Sequence, residues 1–182
     1  WHQPIDDWKA GLISSKECFS RCCEMTVVTE GQFNEFADQQ QIDPYFIEFV
    51  KYCDAHGFPI TVLSDGMKNY IERILDRYGL GNLTIHSNHL IFENGNKIRP
   101  QFPYFGLGCP NCANCKGYHI DTPKQGELIV YIGDGLSDRC GAKKADIIFA
   151  KDDLKTFCIE NNISYFEYEN FGDILRDVKR ET

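Results

Sequence analysis

Two apolar rhythms alternate along most of the chain. Phe46, Phe49, Val50 and Cys53 recur at helical spacing, with Asp43-Pro44 ahead as N-cap and first-turn proline and Gly57 behind as a stop. Ile60-Thr61-Val62-Leu63 is a short β-branched apolar run and reads as a buried strand. A helix is predicted from Lys68 to Tyr78, with Ile71, Ile74, Leu75 and Tyr78 on one face and Gly79 at its end. Leu83-Thr84-Ile85 reads as a strand, and Leu90-Ile91-Phe92, Asn94-Gly95-Asn96 and Lys97-Ile98 read as a small hairpin or loop excursion. Leu128 to Ile132 is the strongest strand, Asp146 to Ala150 the next, and Ser164-Tyr165-Phe166 the last. Helices fill 152–162 and 170–180. Strand then helix, repeated, with continuously apolar strands, predicts an α/β fold: a parallel sheet covered by helices on both faces.

Residues 1–42 follow a different pattern. Ser14-Ser15-Lys16-Glu17 and Thr29-Glu30-Gly31-Gln32 both have capping-box spacing, and nothing there alternates like a strand. This region reads as a small helical layer, and 43–182 as the α/β core. Residues 100–115 form an irregular segment rich in aromatics, Gly, Pro and Cys.

Composition narrows the function classes. A hydrophobic share of 42% suffices for a real core. The net charge of −8 argues against nucleic acid as a partner, because a basic patch on a basic domain is the expected footprint there. No apolar run approaches the ~18 residues of a membrane span, and no secretory h-region opens the chain. Nine cysteines without a signal peptide favour reduced thiols or a metal site, and a cytoplasmic protein.

In open parallel sheets, ligands bind at the carboxyl ends of the strands. The strongest strand runs into Gly133-Asp134-Gly135-Leu136-Ser137-Asp138, two carboxylates in a glycine-rich turn. Hard carboxylate oxygens there suit Mg²⁺; a helix N-cap with a first-turn acid is the plainer alternative. The earlier strand runs into Ser64-Asp65-Gly66, where a hydroxyl and helix N-terminal N–H groups could seat a phosphate or simply cap a helix. Between them stands Lys116, a candidate point charge for a phosphate. Cys109, Cys112 and Cys115, with His119 four positions on, match a Cys₃His zinc set. The spacing also echoes iron–sulfur ligation without its closing Cys-Pro, and reduced thiols or a local disulfide remain open. Cys140, near the acidic turn, is a further candidate ligand, whereas Cys18, Cys22, Cys23, Cys53 and Cys158 read as small core residues.

In this order, a strand then Ser64, then Lys116, then a strand and Gly-Asp-Gly-x-Ser-Asp resemble the haloacid dehalogenase (HAD) superfamily of phosphohydrolases. The cysteine run into Lys116 is similar to that of two groups within it, the methionine-salvage 2-hydroxy-3-keto-5-methylthiopentenyl-1-phosphate phosphatases and the phosphoethanolamine/phosphocholine phosphatases. The resemblance implies a Rossmann-like core with residues 1–42 as a helical cap. It implies a Mg²⁺-dependent phosphatase acting on a small-molecule phosphate monoester. Ser64 and Lys116 would bind the transferring phosphoryl group with Asp65 and Gly66 beside them, and Asp134 and Asp138 would hold Mg²⁺. A carboxylate at Asp65, next to a dianionic phosphate, further suggests a substrate carrying an amine or ammonium.

The superfamily's nucleophile lies in an Asp-x-Asp motif ending the first central strand, and the 182 residues contain none. Asp6-Asp7 and Asp152-Asp153 are adjacent pairs, not Asp-x-Asp. The expectation is that the motif precedes Trp1, in a segment outside this sequence, and that these residues alone are inactive. The implied chemistry is attack by that Asp to give an aspartyl-phosphate, then hydrolysis. The alternatives are an inactive scaffold that binds a phosphorylated ligand or partner, and a zinc-stabilised interaction module.

Overall fold

In the computed structural model, residues 2–93, 96–120 and 126–181 are described. They comprise α1 (His2–Lys9), α2 (Ser15–Glu24), α3 (Glu30–Asp38), α4 (Phe46–Ala55), β1 (Thr61–Met67), α5 (Lys68–Arg77), β2 (Thr84–Glu93), β3 (Lys97–Gln101), α6 (Lys116–Ile120), β4 (Val130–Gly133), a 3₁₀ turn (Leu136–Asp138), α7 (Arg139–Ala142), β5 (Ile147–Ala150), α8 (Asp152–Glu160), β6 (Phe166–Glu167) and α9 (Phe171–Glu181). They form two compact units, 1–41 with 61–115, and 42–60 with 116–182. The helical layer expected as a cap is therefore grouped with β1–β3, while α4, expected at the start of the core, is grouped with β4–β6.

In the first unit, β1 pairs parallel with β2, and β2 turns back antiparallel into β3. That is the predicted hairpin, although Asn94 and Gly95 of its tip lie outside the described residues. Of the two capping-box signals, the second forms in full and the first as a single serine cap. Ser14 Oγ accepts from Glu17 N–H, and Thr29 and Gln32 close a full capping box. Cys23, Met67 and Leu90 form the core, with Phe19, Phe33, Tyr70, Phe92 and Ile98 against it. A bidentate pair from Arg73 to Asp38, at 2.8 and 2.7 Å, ties α5 to α3. Arg77 also donates to the Ala37 and Gln40 carbonyls at the end of α3, both at 3.2 Å.

In the second unit, β4, β5 and β6 pair in parallel. Phe49 and Cys53 of α4 meet Phe149, Tyr168, Ile174 and Leu175 in its core. Asp43 does not cap α4 itself, whose N-cap is Tyr45. Its carboxylate instead accepts from the N–H of Tyr45 at 2.8 Å and of Phe171 at 3.2 Å, which fixes α4 and α9 together. Cys18, Cys23, Cys53 and Cys158 are buried as expected. Burial, with Cys22 as neighbour, pushes the Cys18 and Cys23 thiols up to about 11. No described helix is long and apolar enough to cross a membrane.

Candidate functional site

The Ser64 turn is a bulge in the β1–β2 ladder. From Leu63 to Met67, β1 spends four residues where β2, from His86 to Asn88, spends two. Extra residues lift out of the ladder, and their backbone groups need other partners. Two fully buried amides supply them. The side-chain amide of Asn88 donates to the Asp65 carbonyl at 2.7 Å. That of Asn114 donates to the carbonyls of Ser64 and His86, both at 2.8 Å. Ser64 Oγ accepts from Gly66 N–H at 3.0 Å and hydrogen-bonds the Tyr70 hydroxyl. Burial raises the pKa of that phenol, with the Ser64 bond opposing. A Cβ at Gly66 would stand 2.5 Å from Tyr70 Oη, so any other residue there would displace the phenol from Ser64. The helix begins later, at Lys68, with Met67 as its N-cap. Neither Ser64 nor Asp65 caps it, and the Ser64 hydroxyl lies upstream of the helix terminus rather than on it.

Asp65 faces inward, which removes the basis for its expected role beside the substrate. It is 7% exposed. Its Oδ1 accepts from Asn114 N–H at 2.7 Å and from Asn88 Nδ2 at 3.3 Å. With Oδ1 taking two buried donors, the carboxylate holds the loop. Asp65→Ala is expected to lose about 1–3 kcal/mol of stability from the orphaned amides. Full-length protein carrying it should lose rate equally on amino-alcohol and neutral phosphates. A loss confined to amino-alcohol phosphates, measured as kcat/KM on matched pairs, would restore the ammonium reading.

In the second unit, β4 ends at Gly133 and the chain turns through Asp134 and Gly135 into the 3₁₀ turn. Asp138 is 3% exposed and turns back under this loop. Its Oδ2 accepts from the N–H groups of Asp134 at 3.1 Å and Gly135 at 2.8 Å. Its Oδ1 accepts from Lys116 Nζ at 2.5 Å and from the Tyr131 hydroxyl at 2.6 Å. Burial pushes the Asp138 carboxyl up, but the Lys116 charge and the bonds from Lys116, Tyr131 and Gly135 outweigh it and hold it below the usual carboxylate range. Tyr131 is driven upward, by burial first and then by Asp138.

Lys116, 7% exposed, opens α6. That helix lies so close to α7 that a Cβ on Gly117 would stand 2.6 Å from the Cys140 carbonyl oxygen. Close backbone packing and a buried ion pair thus fix the ammonium. Asp134 differs from Asp138. It is exposed, and its carboxylate makes no hydrogen bond or ion pair among the described residues.

The donor set can be tested for Mg²⁺. Asp134 fits: a hard, uncommitted oxygen donor at a strand end, where Mg²⁺ takes one or two carboxylates plus substrate oxygens. Asp138 does not fit. Four donors occupy the roughly four lone-pair sites of its two oxygens, so its expected place as a second Mg²⁺ ligand gives way to anchoring Lys116. His119, on α6, packs edge-on against Tyr118 at 5.2 Å between ring centroids. The sequence reading missed Tyr70, Asn88, Asn114 and Tyr131. Only Tyr131 carried a signal, a phenol inside an otherwise aliphatic strand.

The profile of the haloacid dehalogenase-like hydrolase family matches residues 15–143. The polyol phosphate phosphatase PYP1 of Saccharomyces cerevisiae is 30% identical over 154 residues, 77% of this chain and 64% of that protein. A 2-hydroxy-3-keto-5-methylthiopentenyl-1-phosphate phosphatase of Exiguobacterium sibiricum is 32% identical over 145 residues, 78% of this chain and 65% of that protein. The matches thus span just under two thirds of each of these relatives. A phosphoserine phosphatase solved as a phospho-aspartyl intermediate analogue shares the fold, with a TM-score of 0.72 at 17% identity, over 96% of this chain and 83% of that one. By profile, by relatives and by fold, the chain belongs to the haloacid dehalogenase-like hydrolase family.

Proposed function

We propose that the protein containing these 182 residues is a Mg²⁺-dependent phosphatase of small-molecule phosphate monoesters. The observation that carries this reading is the pair of acids after β4, one spent on fixing Lys116 and the other left exposed. A merely structural acidic turn has no need of a buried lysine. Two relatives are named as phosphatases of small phosphate esters, which supports the substrate class.

Asp134 would hold Mg²⁺, which supplies charge neutralisation on the phosphoryl oxygens. The remaining roles belong to the chain itself. Lys116 presents a fixed cation to a phosphoryl oxygen, and Asp138 with Tyr131 keeps it from swinging into solvent. Preorganised charge of this kind needs no rearrangement as the transition state forms. Ser64, its Oγ tied to Gly66 and Tyr70, would offer its hydroxyl proton to a phosphoryl oxygen. The nucleophilic Asp belongs to an Asp-x-Asp strand outside the 182 residues. Among the described residues β4 pairs only with β5, so its other edge is open to a further strand. Val130 of β4 is left 47% exposed, and such edges in a folded protein are normally covered.

The test is phosphate release by the full-length protein from a panel of sugar, polyol and amino-alcohol phosphates, with Mg²⁺ and with chelator. Release that depends on Mg²⁺ and is absent from the 182-residue chain alone is expected. No release from any ester, or release unaffected by chelator, overturns the reading.

A further inference from the structure

Three thiols converge between β3 and α6, in a segment that phosphoryl transfer does not use. The Sγ atoms of Cys109, Cys112 and Cys115 lie within 4.8 Å of one another, and none of the three is in a disulfide. Tetrahedral zinc with Zn–S bonds of about 2.3 Å places its sulfurs about 3.8 Å apart. A contraction on the order of one ångström, within reach of χ1 rotation, therefore brings three sulfurs onto one ion.

The backbone between them is already fixed. The Asn111 carbonyl accepts from Ser15 N–H at 2.9 Å. Ala113 N–H donates to Ser15 Oγ at 2.6 Å. Asn114 N–H donates to Asp65 at 2.7 Å, and its side chain reaches Ser64 and His86. Ala113 and Asn114 are fully buried and Cys115 is 4% exposed. The segment has almost no regular structure, yet α2, β1 and β2 each hold part of it. That presents the three thiols together, whereas Cys53 and Cys158 sit singly in a core. Preorganised soft donors select a thiophilic divalent ion over Mg²⁺.

We propose that Cys109, Cys112 and Cys115 bind one Zn²⁺ as thiolates, in a structural site that closes the loop ahead of Lys116. Each thiol releases its proton to solvent on ligation, three per ion, with no change in oxidation state. The fourth position falls to His119, to Cys140 or to water. The site stands independently of the phosphatase reading, because its readout is metal and not turnover.

Full-length protein purified under reducing conditions without chelator should carry one zinc per chain. Reconstitution with Co²⁺ in place of zinc should give thiolate-to-metal charge-transfer absorption and the ligand-field bands of tetrahedral cobalt. Cys112→Ser should weaken zinc retention against a chromophoric chelator at least tenfold and diminish the charge-transfer band, while Cys158→Ser should leave both unchanged. Should Cys112→Ser fail to fold, the charge-transfer intensity of the wild-type protein still counts the thiolates. His119→Ala and Cys140→Ser identify the fourth donor, and no effect of either assigns it to water with the three thiolates retained. Absence of zinc together with failure to take up cobalt overturns the proposal, as does the visible spectrum of an iron–sulfur cluster.

Discussion

Lys116→Met in the full-length protein is expected to abolish phosphate release and to lower folding stability by about 3–5 kcal/mol, the usual cost of removing one partner of a buried ion pair. The stability loss does not come from the lysine itself. It comes from the Asp138 carboxylate, 3% exposed and left charged without its cation. The double variant Lys116→Met/Asp138→Asn separates the two effects. The asparagine oxygen can keep the N–H bonds from Asp134 and Gly135, and its amide can donate to the Tyr131 hydroxyl. Most of the stability should return while activity stays absent. A double variant as unstable as the single one would mean that packing around the lysine stem, and not charge, supports the loop.

The same pair predicts a pH dependence of definite sign. With Lys116 present, the Asp138 carboxyl is held below its ordinary 3.8. A lowered folded-state pKa contributes stability that is present above about pH 4 and is lost as pH falls through the lowered value. In Lys116→Met, burial acts without the opposing cation and raises the carboxyl instead. The penalty of the substitution should then be largest near neutral pH and shrink as the carboxyl takes up a proton in acid. Urea denaturation of wild type and variant across the acid range measures this directly, and a penalty independent of pH would remove the ion pair from the explanation.

Why some of this was legible in the sequence and some was not follows from the range of the interactions. The apolar runs at 128–132 and 146–150 led to β4 (Val130–Gly133) and β5 (Ile147–Ala150) because a continuous β-branched apolar run is a signal carried by adjacent residues. The Ser14 cap of α2 and the capping box of α3 are legible for the same reason, with donor and acceptor three residues apart. The extension of β1 through Ser64-Asp65-Gly66 is not, since polar residues and glycine carry no strand signal. They are held there by Asn88 and Asn114, 23 and 49 positions beyond Asp65. The spacing of Asp134 and Asp138 proposed two similar acids. What divides them is Lys116, 22 residues from Asp138, and Tyr131, seven residues away on the strand before the turn. Asp65 follows the same logic: sequence shows a carboxylate beside a serine but not that it is buried against Asn88 and Asn114.

Asp134→Asn is the sharpest contrast to the changes at Asp138. Asp134 is exposed and its carboxylate supports nothing among the described residues, so its neutral isostere should leave stability within about 0.5 kcal/mol of wild type. Catalysis should behave oppositely. Loss of one preorganised charge at a phosphoryl-transfer centre is expected to lower kcat by about 10²–10³-fold. The Mg²⁺ concentration for half-maximal rate should rise as well, because an amide oxygen is a weaker donor to a hard cation than a carboxylate. Asp138→Asn should instead lose stability along with rate and leave the Mg²⁺ requirement of its residual activity near that of wild type. These two single substitutions, four residues apart, therefore divide metal binding from lysine positioning. Should Asp134→Asn keep its rate, or should Asp138→Asn carry the shift in Mg²⁺ requirement, the assignment of the two acids would have to be exchanged.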